Sequence, residues 1–379
     1  MSQVDSAIVV GAGVAGLATA VALSRTGVRV AVCERSRDVR RTGGALLLWS
    51  NAMAVLADLG LAERVLEVAT LLEVTEFRSW SGDTLWTLPV EDLSVRHGAP
   101  SVVISRADLV DVLLAALPPD SVRFGTSVAS VRTEGARAAV LLEDGSGMDA
   151  DVVVGADGIR SSVRAELLGG SPPAGTGEVA WVGIVPYEHL LVPPGVALAT
   201  AGDGRRFWCA GMNRGRVYWY ATVKDTARVD SLADLANAFR DAHAPIADVV
   251  AETAPEDVVV TAITDRPPTR GWSRGRVVLV GDAAHPATPD LGQGACQALE
   301  SAIVLAAHLS NSADVETAFA RYERQRFSRC ERLTLLARAT AEGSGISGSL
   351  FGSVRDLGVR TMLPAIALTE FDWILSPRG

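Results

Sequence analysis

The sequence predicts an α/β protein in which a parallel-sheet unit is interrupted by a mainly antiparallel β-sheet. Three observations predict it. Apolar strands run into glycine- or acid-bearing turns at three separated places, near Gly11, Gly155 and Gly281. The first continues through a helical run into a second strand, the order that builds a parallel sheet. Residues 176–268 carry short alternating strands divided by turns instead, with the period of two expected of a half-buried sheet.

A chain of 379 residues, 48% of them hydrophobic, can bury a full core and divide into two domains. Its net charge of −9 argues against nucleic acid or an anionic membrane as partner. Cys33, Cys209, Cys296 and Cys330 are scattered and form no C-x-x-C pair, so neither a disulfide framework nor a metal site is expected. The apolar run from Ala7 to Leu23 has glycines at motif spacing and no basic residue before it, which reads as strand, turn and helix rather than a secretory signal. No other stretch is long enough to span a bilayer. The expectation is a cytoplasmic protein without stable membrane insertion, a monomer or homodimer.

Ala7-Ile-Val-Val has the continuous apolar character of a strand buried on both faces. Gly11-Ala-Gly-Val-Ala-Gly16 follows, then a helical run from Leu17 to Ser24 with Gly27 as its C-terminal stop. Val28 to Cys33 forms the second strand and ends at Glu34. This is the dinucleotide fingerprint in its required context. Gly11 permits the tight turn, Gly13 lets backbone approach a pyrophosphate, and Gly16 lets the helix pack closely. The helix N-terminus offers free N–H groups and partial positive charge to phosphate. Glu34 stands where a carboxylate would accept hydrogen bonds from an adenosine ribose. Ala15 in the turn and Arg35 after the acid complete this set. The fingerprint alone does not separate FAD from NAD(P), because both present the same adenosine diphosphate.

Two later segments separate them. One is Asp151-Val-Val-Val-Gly155-Ala-Asp157-Gly158, leading to Arg160-Ser161-Ser162; the other is Arg276-Val-Val-Leu-Val-Gly281-Asp282, leading to His285-Pro286, Pro289 and Gly292-Gln293-Gly294. With all three motifs in order, the chain resembles the flavoprotein aromatic hydroxylases, relatives of 4-hydroxybenzoate, salicylate and kynurenine hydroxylases and zeaxanthin epoxidase. The resemblance covers nearly the whole chain and is nearest the compact, group A form. It implies a Rossmann-like FAD-binding domain (1–74, 98–175 and 269–341). A substrate domain with a mainly antiparallel β-sheet (75–97 and 176–268) interrupts it in the 4-hydroxybenzoate hydroxylase-like fold, and a C-terminal helical segment follows (342–379).

The resemblance assigns Asp282 to the ribityl chain of FAD and Asp157 to seating FAD and NADPH. It places Gly292, Gly294 and Ala295, which open a helix read as Gly292 to Leu309, against the flavin. Arg106, in a helix that Ser105 would cap, reaches the FAD phosphate or ribityl region. Arg41 matches another basic position, for which Arg40 competes. The implied enzyme is an FAD-dependent monooxygenase that takes NADPH or NADH as a transient co-substrate with O2. It would hydroxylate an aromatic or polyketide-like small molecule through a C4a-hydroperoxyflavin. Epoxidation or Baeyer–Villiger oxidation on the same scaffold, or a non-enzymatic flavoprotein, are the competing readings.

The strand Arg216–Val223 alternates, with Tyr218, Tyr220 and Thr222 on one face and Trp219 and Ala221 on the other. By position, Leu47, Phe77, Arg206, Tyr218 and Pro289 match places where relatives line the substrate pocket. Tyr218 also reads as an ordinary sheet residue and Arg206 as a solvated strand charge. No residue is assigned a catalytic role, and no base for deprotonating a phenol is evident. Cys296 and Ser301 replace the Asn and Asp of many relatives, and Cys296 reads as a passive small residue. His285 reads as a packing or hydrogen-bonding residue rather than a base. Asp290 reads as a helix cap in preference to a carboxylate beside the substrate.

Overall fold

The computed structural model describes residues 4–38, 44–202, 204–224, 229–344 and 356–376. The opening strand Ser6–Val10 lies inside a six-stranded sheet. It pairs in parallel with Arg29–Glu34 on one side and Val152–Gly155 on the other. Val277–Leu279 joins Val152–Gly155, also in parallel. The three motif turns therefore leave the carboxyl ends of adjacent strands, the crevice where open parallel sheets bind ligands. Val152–Gly155 is buried throughout, which accounts for its unbroken apolar sequence.

The helix Val14–Arg25 packs on the helix Gly294–Asn311, which buries Leu299, Ala302, Leu305 and Leu309. That second helix starts two residues later than the sequence predicts. Gly292 has φ of +62° and cannot join the helix, and Pro289–Leu291 forms a single tight turn before it.

The second sheet has seven strands, in the spatial order Val258–Asp265, Ala174–Pro186, Arg216–Val223, Arg205–Met212, Val196–Gly202, Val74–Arg78 and Thr84–Pro89. Among these, Val196–Gly202 and Val74–Arg78 run parallel and the rest are antiparallel. The alternation in Arg216–Val223 is realised. Trp219 and Ala221 enter a separate apolar core with Phe207 and Phe239, while Tyr218 and Tyr220 face a cavity. Helices Leu232–Ala238 and Ile246–Ala251 cover the core side; Ser231 caps the first by accepting the Asp234 N–H at 3.1 Å.

The helix Val315–Ser344 runs through Gly343, and a glycine in the last turn costs little there. The helix Leu363–Leu375 returns to the body of the protein, with Phe371 against Trp49 at 5.0 Å between ring centres. Arg96 and Arg332 tie it down through Asp372 (2.7 Å) and Glu370 (2.8 Å). Among the described residues, no helix is long and apolar enough to cross a membrane.

Candidate active site

One cavity of about 1190 Å³ runs from the opening glycine turn to the seven-stranded sheet. Gly11, Gly13, Ala15, Glu34, Arg35, Arg106, Asp157, Asp282, Gly292, Gly294 and Ala295 all line it, as do Leu47, Phe77, Arg206, Tyr218 and Pro289. Gly16 does not; it acts one layer back. A Cβ on Gly16 would lie 1.9 Å from the Gly11 carbonyl oxygen, and one on Gly11 2.6 Å from that of Ala156. The turn thus closes only with glycine at both places. Around the Gly13 Cβ position, by contrast, no protein atom lies within 4 Å. That side is open to a bound group.

Gly16→Ala is therefore expected to force the turn open and weaken FAD binding by at least about tenfold, since overpacking costs about 1–3 kcal/mol. Titration of apoprotein with FAD checks this, and unchanged affinity would contradict it.

Glu34 is held in place by its own turn. Its carboxylate accepts the Ala12 N–H and the Ser36 N–H, both at 2.8 Å. Burial works against its charge, yet these hydrogen bonds and Arg35 hold the carboxyl below its usual range. Ser161 caps the helix Ser162–Leu168, and one oxygen of Asp157 accepts the Ser162 N–H beside it at 2.8 Å. Its other oxygen, Oδ1, is buried without a partner. Arg164 in that helix donates to the carbonyls of Ala283 and Ala284 at 2.8 and 3.0 Å, fixing the turn that carries Asp282. Asp282 is exposed, but what it faces is the inside of the cavity. That enclosure pushes its carboxyl upward, against the charge of Arg106. Ser105 caps the Arg106 helix as expected, accepting the Asp108 N–H at 3.0 Å. Arg41 and Arg40 lie outside the described residues.

At the sheet end Arg206 is not a solvated strand charge. It is buried, donates to Thr222 at 2.9 Å, and forms ion pairs with Glu178 and Asp290. Asp290 is likewise corrected. It caps no helix, since Gln293 occupies the N-cap of Gly294–Asn311 without a side-chain bond. Instead it faces the cavity with Oδ2 buried and unpartnered. The sequence allows Asp290 as a carboxylate beside the substrate, second to a cap, but does not single out Glu178, which backs Arg206; the one signal for Glu178 is a carboxylate inside the otherwise apolar strand Ala174–Pro186.

Cys296 is buried, and burial pushes its thiol up to about 12, so it is inert. His285 bonds Ser301 at 2.8 Å, and burial first, then Arg326, pull its pKa down to about 3. Burial among these groups favours the neutral imidazole in the fold. Its folded pKa lies below the unfolded value of about 6.5, so its stabilising contribution is full above that pH and is lost as pH falls toward 3. His285→Gln should flatten the loss of stability between about pH 6 and 4, measured by urea unfolding; an unaltered slope would contradict this.

A parallel sheet with a glycine turn, two acids at neighbouring strand ends and a cavity reaching a second sheet defines a flavin-binding oxidoreductase scaffold. A family model described as an FAD binding domain matches residues 4–337. The chain belongs to that family and is an FAD-dependent monooxygenase. It is 35% identical over 326 residues to an aurachin C monooxygenase/isomerase of Stigmatella aurantiaca, covering 85% of each chain. It is 33% identical over 343 residues to an FAD-dependent urate hydroxylase of Klebsiella pneumoniae, covering 88% of each. Its fold matches the crystal structure of Klebsiella pneumoniae HpxO complexed with FAD and uric acid, with a TM-score of 0.91, 30% identity and coverage of 100% and 98%. The 4-hydroxybenzoate hydroxylase-like fold read from the motifs is thus the fold of the protein.

The residues present fit FAD. The open approach at Gly13 suits a pyrophosphate, and the bare Oδ1 of Asp157 and the carboxylate of Asp282 await hydrogen-bond donors of the kind a ribityl chain or water supplies.

Proposed function

We propose that this monooxygenase uses NADH or NADPH and O2 to hydroxylate an aromatic small molecule held between the seven-stranded sheet and the Gly292–Ala295 turn. One observation carries the reading: a single cavity joins the three glycine and acid turns to Arg206, Tyr218 and Asp290. Likeness to a urate hydroxylase seen with FAD and uric acid supports it.

FAD, when bound, supplies the electron transfer and oxygen chemistry. The chain holds and shields it. Glu34 and Arg35 receive the adenosine end, and the N–H groups of the helix start after Gly13 donate to phosphate. Arg106, Asp157 and Asp282 lie along the middle. Gly292, Gly294 and Ala295 bring a helix N-terminus to the ring end, where its partial positive charge stabilises added negative charge. Leu47, Phe77 and Pro289 give the substrate apolar walls, Tyr218 gives it a polar handle, and Arg206 holds Asp290 in place beside it. Phe371 and the buried Ile374 of the C-terminal helix close another side against water.

Purified protein is expected to be yellow, and an aromatic substrate is expected to accelerate NAD(P)H oxidation and gain one oxygen atom from labelled O2. Bound FAD that neither NADH nor NADPH reduces, with any aromatic ligand, would overturn the proposal in favour of a non-enzymatic flavoprotein.

A further inference from the structure

Charge compensation at the sheet end of the cavity narrows the substrate class. Among the described residues, Arg78 there pairs with Glu76 at 2.6 Å, and Arg332 at the C-terminal wall pairs with Glu370 at 2.8 Å. Arg106 stands near Tyr218 and Asp282. Arg206 faces two carboxylates, Glu178 and Asp290, with all three side chains at least nine-tenths buried. This cluster carries one more negative than positive charge. An arginine poised to receive an aromatic carboxylate would need its guanidinium edge for that ligand. Here the edge is committed to the protein's own carboxylates and to Thr222.

The groups left over are of the other kind. Asp290 Oδ2 is buried in the cavity wall without a partner, and so is the Tyr220 hydroxyl. Burial pushes the Tyr220 phenol well above its usual range, so it stays protonated. The pair offers one anionic acceptor and one neutral hydroxyl, and Arg206, the cation paired with Asp290, is shared with Glu178.

We propose that this end of the cavity selects an uncharged aromatic or heteroaromatic ring bearing an N–H or O–H donor and rejects the ring-matched carboxylate. The inference rests on the proposed aromatic-hydroxylase reading and names its substrate class. Like charges brought together in a water-poor site disfavour binding, a selection made by repulsion as much as by contact.

The test compares 4-hydroxyquinoline with 4-hydroxyquinoline-2-carboxylate on the FAD-loaded protein, reading equilibrium binding from the flavin absorbance change and, separately, NAD(P)H oxidation. The neutral ring is expected to bind at least about tenfold more tightly, a difference of about 1.4 kcal/mol. Glu178→Gln, and Asp290→Asn as a second variant, should shrink that ratio about tenfold by favouring the carboxylate. Equal or tighter binding of the carboxylate by the unaltered protein would overturn the inference, as would a ratio unmoved in both variants. If the carboxylate binds more tightly and drives NAD(P)H oxidation, the substrate class is wrong and the hydroxylase reading stands. If the neutral ring is preferred but neither it nor any other aromatic ligand drives NAD(P)H oxidation, the selectivity stands and the proposed hydroxylation fails.

Discussion

Replacing Arg206 by methionine is expected to destabilise the protein by about 3–5 kcal/mol and to lower product formation at least about a hundredfold. The guanidinium lies between Glu178 and Asp290, whose side chains are 9% and 5% exposed. Without it, two carboxylates remain buried side by side with no cation, which is the costly way to break a buried pair. The strand Arg205–Met212 also loses the bond from Arg206 to Thr222 on its neighbour. Substrate would lose the surface that orients it, so NAD(P)H oxidation should continue with little hydroxylation. Urea unfolding measures the first effect, and the ratio of product to NAD(P)H consumed measures the second. The triple change Arg206→Met, Glu178→Gln and Asp290→Asn should restore stability, because the pocket is again without unpaired charge, but not hydroxylation. Full activity in Arg206→Met would remove Arg206 from the site.

Glu300→Gln should cost a similar about 3–5 kcal/mol, for the opposite charge reason. Glu300 is fully buried and binds both Arg326 and Arg329, with Arg329 at 2.9 Å. Burial opposes its ionisation, but the two arginines and the Asn51 amide outweigh this and hold its carboxyl below the usual range. Neutralising it leaves two buried guanidiniums facing each other. Arg329 also donates to the carbonyls of Trp373 and Ile374, at 3.2 and 2.6 Å, so the same change loosens the end of the helix Leu363–Leu375. Hydrogen exchange should rise selectively in that helix, and urea unfolding should shift to lower denaturant. Wild-type behaviour in both would contradict the assignment.

How much of this was legible in the sequence depends on whether a feature is local. Gly11, Gly13, Gly16 and Glu34 could be read because one turn builds the whole feature within a few dozen residues. Asp157 and Asp282 announce themselves by ending buried strands, and Ser105 by the cap it makes three residues ahead. The Arg206 cluster joins residues 28 and 84 positions apart, and no spacing rule connects them. Asp290 resembles a cap because an acid before a helix usually is one; the positive φ of Gly292 turns the chain and frees it. The Glu300 network and the docking of Phe371 on Trp49 are equally invisible, since each unites the C-terminal helix with earlier segments only after folding.

FAD is expected to lie extended among three turns that are separated in sequence. A crystal structure of the FAD-loaded protein tests this most directly. Adenosine density beside Glu34, with the isoalloxazine ring against Gly292–Ala295 and the ribityl chain at Asp282, is the expected result. FAD bound elsewhere, or a ring more than a hydrogen-bond length from every one of those residues, would contradict it.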